Sequence, residues 1–182
     1  MKKILICILS ILLIFTFAFA NYQDDCGELL VEMNLLSGYP DGTLKLENNI
    51  TRAEFSVLIM KMLGYNNDNI TITSKTNFKD LKSTHWAYKS VLKATELGYL
   101  SGYENNTFRP SNQLTYAECC SIMVNVLGYK KDMIGKWPNN VINMATELKI
   151  NDSILDKAAN DLMTRGEVAV MLVNSLNVNL KQ

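Results

Sequence analysis

The sequence contains too few histidines and cysteines for several common kinds of site and scaffold. Its 182 residues include one histidine and four cysteines. A single histidine cannot supply a multi-histidine metal site, and four cysteines are too few for a scaffold built from disulfides. We therefore expect no bound metal and no cofactor, and a histidine-driven enzyme is disfavoured.

No charge of one sign dominates the composition. The 18 basic residues balance 18 acidic ones, which gives a formal net charge of zero. A broad electrostatic grip on nucleic acid needs clustered basic residues, so nucleic acid is not an expected partner. The hydrophobic fraction of 48% also excludes intrinsic disorder. The length suits one compact domain or a few small repeats.

The first twenty residues have the pattern of a secretory signal peptide. A short cationic start precedes an apolar run over 4–17, and Ala18, Phe19 and Ala20 supply the small-x-small pattern of a cleavage site. We expect cleavage after Ala20 and no membrane contact afterwards. An uncleaved membrane anchor is the alternative, because the apolar run approaches the length of a spanning helix.

The remaining sequence repeats itself three times. At an offset of 64 residues, LSGY at 36–39 recurs at 100–103, and at an offset of 51 residues ATEL at 94–97 recurs at 145–148. Ordered matches of this kind are the signature of tandem repeats. The predicted copies are 21–65, 77–129 and 137–182, joined by polar linkers at 66–76 and 130–136.

Each copy predicts two helices separated by a glycine turn and a short extended segment. The second helix begins with a capping box, in which a threonine caps the first turn and a glutamate three residues later bonds back. These pairs are Thr51 and Glu54, Thr115 and Glu118, and Thr164 and Glu167. The apolar stripe predicted for the first helix of copy one is Leu29, Leu30, Met33 and Leu36. A two-helix unit cannot bury its faces alone, so we expect a mostly α fold in which three copies share one core.

Three cysteines remain after removal of the signal segment. Cys26, Cys119 and Cys120 are an odd, low number for an exported protein, which is no disulfide framework. Buried small hydrophobic residues are one interpretation. A disulfide from Cys26 to one of the other two is the alternative, because both segments are helical and could pack together.

The second copy contains the fullest set of spaced motifs. They are Phe78-x-Asp80, Trp86-Ala87, Gly102-Tyr103, Thr107 to Pro110, and Leu114 to Glu118. Copy one keeps Gly38 to Thr43 and Ile50 to Phe55, and copy three keeps Trp137 and Met163 to Glu167. In this order the motifs resemble the S-layer homology family, the triplicated modules that hold exported proteins on bacterial cell walls. Copy one departs from the family with Tyr22 where its tryptophan would fall, and copy three with Asn151-Asp152 in place of Gly-Tyr.

The resemblance implies a fold and a ligand. The family fold is a pseudo-trimeric, three-pronged spindle around a central bundle of the three second helices. Grooves between neighbouring repeats bind the secondary cell-wall polysaccharide, which commonly carries a pyruvate ketal. The resemblance therefore implies a non-catalytic wall anchor at the bacterial cell surface. A surface-layer protein is a further candidate partner.

Three pairs of residues are the candidate ligand site. Arg52 and Arg165 follow a capping threonine and can present a planar fork to a carboxylate, although an arginine at a helix start is often merely solvated. Trp86 and Trp137 are either flat faces for a sugar ring or core anchors. Gly38 and Gly102 are turn residues that also allow close backbone approach. Copy two has Tyr116 at the arginine position, so we expect weak or absent carboxylate binding there.

Other functional readings have less support. No nucleophile constellation is visible, and His85 is interpreted as structural. Asn66 to Asn69 offers oxygen ligands but lacks the glycine and distal glutamate of a calcium loop. The rival function is a protein-interaction or surface-layer assembly module whose grooves hold a peptide or a partner subunit. Family members usually carry a payload domain, and none is expected within these 182 residues.

Overall fold

The computed structural model describes residues 22–74, 78–154 and 156–181. The described chain forms six α helices, a short 3-10 helix at Lys130–Asp132 and only isolated β bridges. The α helices are α1 at 22–32, α2 at Arg52–Met62, α3 at Tyr88–Glu96, α4 at Tyr116–Val126, α5 at Asn139–Glu147 and α6 at Arg165–Ser175. The predicted mostly α class is confirmed, and the predicted signal peptide lies outside the described residues.

Helices α2, α4 and α6 share one length and one kind of start. Each has 11 residues and follows a threonine in extended conformation. In all three the threonine hydroxyl accepts a hydrogen bond from the glutamate amide three residues on, and the glutamate side chain accepts one from the threonine amide. The three predicted capping boxes are confirmed, and each satisfies amides that the helix itself cannot pair.

The backbone just before these helices forms a closed ring of hydrogen bonds. Ile50 donates its amide to Met163 at 2.9 Å, Met163 donates to Leu114 at 3.0 Å, and Leu114 donates to Ile50 at 3.2 Å. All three side chains are fully buried. The ring therefore ties together three segments that are far apart in the sequence.

Each of the three helices also takes two carbonyl acceptors from another copy. The six bonds run from Arg52 to Asn112, Ala53 to Pro110, Tyr116 to Asp161, Ala117 to Ala159, Arg165 to Asn48 and Gly166 to Leu46, all between 2.8 and 3.0 Å. The donors are the first two amides of each helix, which have no acceptor inside it. The start of each capped helix is thus completed by a loop from a different predicted copy.

Helix packing also crosses between copies. α2 packs against α3, and α4 packs against α5. Tyr22, the first residue of α1, donates its hydroxyl hydrogen to Oδ1 of Asn174 in the last turn of α6 at 3.2 Å. The second helix of one predicted copy therefore lies beside the first helix of the next. This is the feature that creates grooves between copies.

The hydrophobic core is centred on the capped helices. The buried residues cover more of each helix's surface than a single apolar stripe would. In α4 the buried residues are Tyr116, Ala117, Cys119, Cys120, Ile122, Met123, Val124 and Val126. The apolar stripe predicted for the first helix of copy one, which extends past the end of α1, is wrong for two of its four members. Leu30 and Leu36 are buried, but Leu29 and Met33 are about two-fifths exposed, at 39% and 42%.

All three cysteines of the described chain are buried and free. Cys26, Cys119 and Cys120 form no disulfide, so the interpretation as small hydrophobic residues is confirmed and the alternative link is wrong. Burial raises the pKa of the Cys120 thiol to about 12 and raises that of Cys119 well above its ordinary value. Both thiols are therefore protonated at neutral pH, which makes them poor nucleophiles.

The segment 66–74, which belongs to the first predicted linker, is held against α3. Lys89 donates to the carbonyl of Asn67 at 2.7 Å, and Glu96 accepts from the backbone amide of Thr73 at 3.2 Å. Ile70 in this segment is buried.

Within the described residues, no helix combines the length and hydropathy that crossing a bilayer requires.

The capping boxes yield a stability prediction. Replacing Thr115 with alanine should lower the free energy of unfolding by about 1 kcal/mol, because the hydroxyl acceptor of the first turn is lost. Thr115→Ser keeps that acceptor and should lose less than half as much. Chemical denaturation of both variants measures the difference. Equal stability of the alanine and wild-type chains would contradict the cap's role.

Candidate functional site

Two cavities of similar size are lined by residues from different predicted copies. The first groove has a volume of about 290 Å³ and is lined by Leu35, Leu36, Ser37, Gly38, Tyr39, Glu54, Val57, Leu58, Lys61, Trp86 and Arg165. The second groove has a volume of about 250 Å³ and is lined by Arg52, Gly98, Tyr99, Leu100, Ser101, Glu118, Ser121, Ile122, Asn125, Lys130, Met133 and Trp137. At the repeat offsets, most of the residues that line the first groove align with residues that line the second.

The two grooves bring together the predicted arginines and tryptophans. Arg165 and Trp86 line the first groove, and Arg52 and Trp137 line the second. Each groove takes its arginine from the start of one capped helix and its tryptophan from the turn before the first helix of another copy. In the first groove, Arg165 and Trp86 therefore meet although they are more than 75 positions apart in the sequence.

Both tryptophans are exposed. Trp86 keeps 58% and Trp137 keeps 56% of its surface accessible, so the interpretation as core anchors is wrong. The neighbouring Ala87 takes the buried position instead and donates its amide to Nδ1 of His85 at 3.1 Å. The His85 ring stacks on Trp86 with a centroid distance of 5.5 Å, which fits the predicted structural role of this histidine. The local backbone thus turns the indole outward.

Arg165 is buried at the floor of the first groove. Its Nε donates to the Leu44 carbonyl at 2.9 Å, and its Nη2 donates to the Ser37 carbonyl at 3.2 Å. Its Nη1 forms an ion pair with Oε1 of Glu54 at 3.0 Å. The Tyr39 ring lies 5.0 Å from the guanidinium carbon. The interpretation of Arg165 as a solvated helix-start residue is therefore wrong.

Arg52 has the equivalent position in the second groove with a different set of partners. Only 6% of this residue is exposed. Its Nε donates to the Phe108 carbonyl at 2.9 Å, and its Nη2 donates to the Ser101 carbonyl at 2.7 Å. Within the described ranges, no carboxylate forms an ion pair with Arg52 and its Nη1 has no hydrogen-bond acceptor. Burial lowers the pKa of this guanidinium.

At the third equivalent position, the first residue of α4 forms an internal hydrogen bond. Tyr116 stands where the other two copies have arginine, and its hydroxyl accepts from Nδ2 of Asn151 at 2.6 Å. Both residues are buried, and the same amide also donates to Thr146 at 3.0 Å. Burial raises the pKa of the Tyr116 phenol. A neutral phenol and an amide thus replace the cation at this position.

The two predicted glycines have different surroundings. Gly38 lines the first groove, whereas Gly102 is not among the residues that line the second. A Cβ on Gly102 would lie 2.2 Å from Cε1 of Phe78 and 3.0 Å from the Thr107 carbonyl oxygen. The positive φ angles of these turns fall elsewhere, at Gly42 with +81° and Asn106 with +59°. Gly102 is therefore required for packing against Phe78.

Four charged residues that line the grooves were not among the predicted site residues. The capping glutamates Glu54 and Glu118 line the cavities as well as capping their helices. Lys61 adds a cation to the first groove and Lys130 adds one to the second. Helix capping accounted fully for the glutamates, so their second contact gave no signal. Lys130 lies in a predicted linker, where no contact was expected.

Comparisons with known proteins identify the family of the chain. The S-layer homology domain profile matches residues 28–56 and 77–119. The chain is 35% identical over 153 residues to a middle cell wall protein of Brevibacillus brevis, covering 84% of this chain and 14% of that protein. It is 33% identical over 153 residues to a surface layer protein of Brevibacillus choshinensis, with the same coverage of 84% and 14%. It is 38% identical over 114 residues to a cellulosome-anchoring protein of Acetivibrio thermocellus, covering 63% of this chain and 24% of that protein.

These matches define the class of the chain as a cell-surface or S-layer anchoring module. The chain belongs to the S-layer homology domain family. The expected location at the bacterial cell wall or surface is confirmed by these matches. The chain spans 14% of the length of each of the first two relatives and 24% of the third.

The glycine surroundings predict unequal effects of one substitution. Gly102→Ala should lower the free energy of unfolding by about 2 kcal/mol, because the new methyl group overlaps Phe78 in a filled core. Gly38→Ala should cost less than about 1 kcal/mol, because its nearest contact is the Thr43 carbonyl oxygen at 3.2 Å. Thermal and chemical denaturation compare the two variants. A larger loss for Gly38→Ala would contradict the packing role of Gly102.

Proposed function

We propose that the chain is a non-catalytic module that binds an acidic cell-wall polysaccharide in the first and second grooves. The observation that carries the proposal is the pairing of an exposed indole with a buried guanidinium in each groove. The relatives named for the cell wall, the surface layer and cellulosome anchoring support the same role. The polysaccharide is the proposed partner, and a surface-layer protein is a second candidate.

The proposed architecture is three copies arranged around a pseudo-three-fold axis, with α2, α4 and α6 as the central bundle. The closed hydrogen-bond ring of Ile50, Leu114 and Met163 supports this arrangement, because each copy donates one bond and accepts one. The proposed copies are 21–65, 77–129 and 137–182, with joining segments at 66–76 and 130–136. Grooves then arise at each junction between copies.

The chemistry of the grooves favours a sugar with one negative charge. The first groove holds two cations, Arg165 and Lys61, against the single carboxylate of Glu54. The second groove holds Arg52 and Lys130 against Glu118. Each groove therefore has an excess of one positive charge, and its exposed indole offers an apolar face against which a sugar ring can stack. A pyruvate ketal, a small carboxylate fixed on a sugar, matches both features.

A peptide-binding role is the alternative function. The internal ion pair between Arg165 and Glu54 favours it, because that guanidinium already has a partner. The partly exposed Leu29 of α1 and Met33, just after that helix, add apolar surface. Arg52 forms no such ion pair among the described residues, so the second groove supports the acidic sugar more strongly.

A wall-binding assay tests the proposed function. Trp86→Ala and Trp137→Ala together should abolish sedimentation of the protein with purified wall sacculi, because both sugar-stacking faces are removed. Both side chains are exposed, so the melting temperature should change little. Sacculi stripped of polysaccharide by hydrofluoric acid should not bind the unaltered chain. Undiminished binding to stripped sacculi would favour the protein-interaction alternative.

The replacement of arginine by Tyr116 predicts the number of sites. Calorimetric titration with a methyl glycoside of a pyruvate-ketal hexose should show two bound molecules per chain. The third junction should not bind, because Tyr116 and Asn151 satisfy each other there and no guanidinium is present. Trp86→Ala and Trp137→Ala should each reduce the number by one. A third site of comparable affinity would contradict this prediction.

A further inference from the structure

We propose that the two grooves bind an acidic sugar with unequal affinity, the second groove more tightly, because Glu54 acts as an internal counter-ion in the first. The inference rests on the proposed function. It concerns how that site is tuned, and the difference depends on one ion pair that occurs in the first groove and not in the second.

The guanidinium of the first groove is neutralised and fully engaged. Arg165 uses Nε and Nη2 on carbonyl groups and Nη1 on Oε1 of Glu54 at 3.0 Å. The ion pair is shielded from water, since the Arg165 side chain is 6% exposed and the Glu54 side chain 19%. Tyr39 donates its hydroxyl hydrogen to the same Oε1 atom at 3.1 Å, which holds the carboxylate in place.

The guanidinium of the second groove is engaged only by neutral acceptors. Arg52 donates to two backbone carbonyls, and Nη1 has no acceptor in the described part of the chain. Glu118 makes the same helix-start bonds as Glu54, since its Oε2 accepts from the Thr115 amide at 2.8 Å and from the Thr115 hydroxyl at 3.0 Å. The two glutamates differ in that only Glu54, among the described residues, also forms an ion pair with the arginine of its groove. The charges of Glu118 and Asp80 act on this buried cation from a distance, but no carboxylate of the described residues is in direct ion-pair contact with it.

The two arrangements have different consequences for an incoming carboxylate. In the first groove the ligand must share or displace Glu54 and is repelled by its charge. In the second groove the ligand supplies the missing counter-ion and gains a charge-assisted hydrogen bond in a partly desolvated site. A buried charge without a partner is destabilising. A carboxylate that binds at Arg52 therefore provides a stabilisation that Arg165 already has from its ion pair with Glu54.

The sequence offers a separate reporter for each groove. The chain has two tryptophans, and one lines each groove. Their indole N–H signals in a ¹⁵N-labelled sample therefore report the two sites independently during one titration. The probe is the methyl glycoside of a pyruvate-ketal hexose, added to the unaltered chain. The Trp137 signal should saturate at a ligand concentration about tenfold lower than the Trp86 signal.

A charge-removing variant identifies the cause. Glu54→Gln keeps the capping box, since glutamine serves at that position, but removes the counter-ion of Arg165. Affinity at Trp86 should rise about tenfold and affinity at Trp137 should stay within twofold. The matched control is Glu167→Gln, which makes the same change in the capping box of α6. Glu167 lines neither groove and pairs with Lys157 at 2.9 Å, so neither indole should respond differently in that control.

The possible outcomes separate this inference from the proposed function. Equal affinities at the two indoles of the unaltered chain would overturn the inference and leave saccharide binding intact. An unchanged or weaker affinity at Trp86 in a folded Glu54→Gln chain would also overturn it. If neither indole responds to the ligand, the proposed function itself fails. The measurement on the unaltered chain does not depend on whether the variant folds.

Discussion

The hydrogen bonds at the starts of α2, α4 and α6 are the constraint on which the rest of the structure depends. A helix start leaves amides that the helix cannot pair, and burial makes unpaired amides costly. Here a capping box satisfies two of them from within the copy, and loops of another copy supply two more acceptors. The three predicted copies are therefore joined through backbone groups, which few substitutions can remove.

This junction also places the side chains of the grooves. The first residue of each capped helix is bonded by its amide to another copy, so its side chain enters the junction. In two cases that residue is an arginine, and it binds the carbonyl of the serine that follows the first helix of a neighbouring copy, Ser101 for Arg52 and Ser37 for Arg165. In the third case Tyr116 closes the junction with Asn151. A single structural position thus decides whether a junction contains a cation.

Sequence patterns predicted the features that depend on near neighbours. The three capping boxes and the mostly α class were confirmed because caps and helical periodicity are local. Contacts between copies were less accessible. Trp86 could be interpreted as a core anchor because the sequence around it does not reveal that Ala87 takes the buried position. The ion pair of Arg165 with Glu54 joins residues 111 positions apart, and the glutamate already had a complete explanation as a cap.

A crystal structure of the protein with the methyl glycoside of a pyruvate-ketal hexose would show directly whether the second groove binds an acidic sugar. We expect the sugar ring to lie on the exposed face of Trp137 and its carboxylate to accept a hydrogen bond from Nη1 of Arg52. A ligand bound away from both grooves, or one in the second groove with its carboxylate turned away from Arg52, would contradict the account.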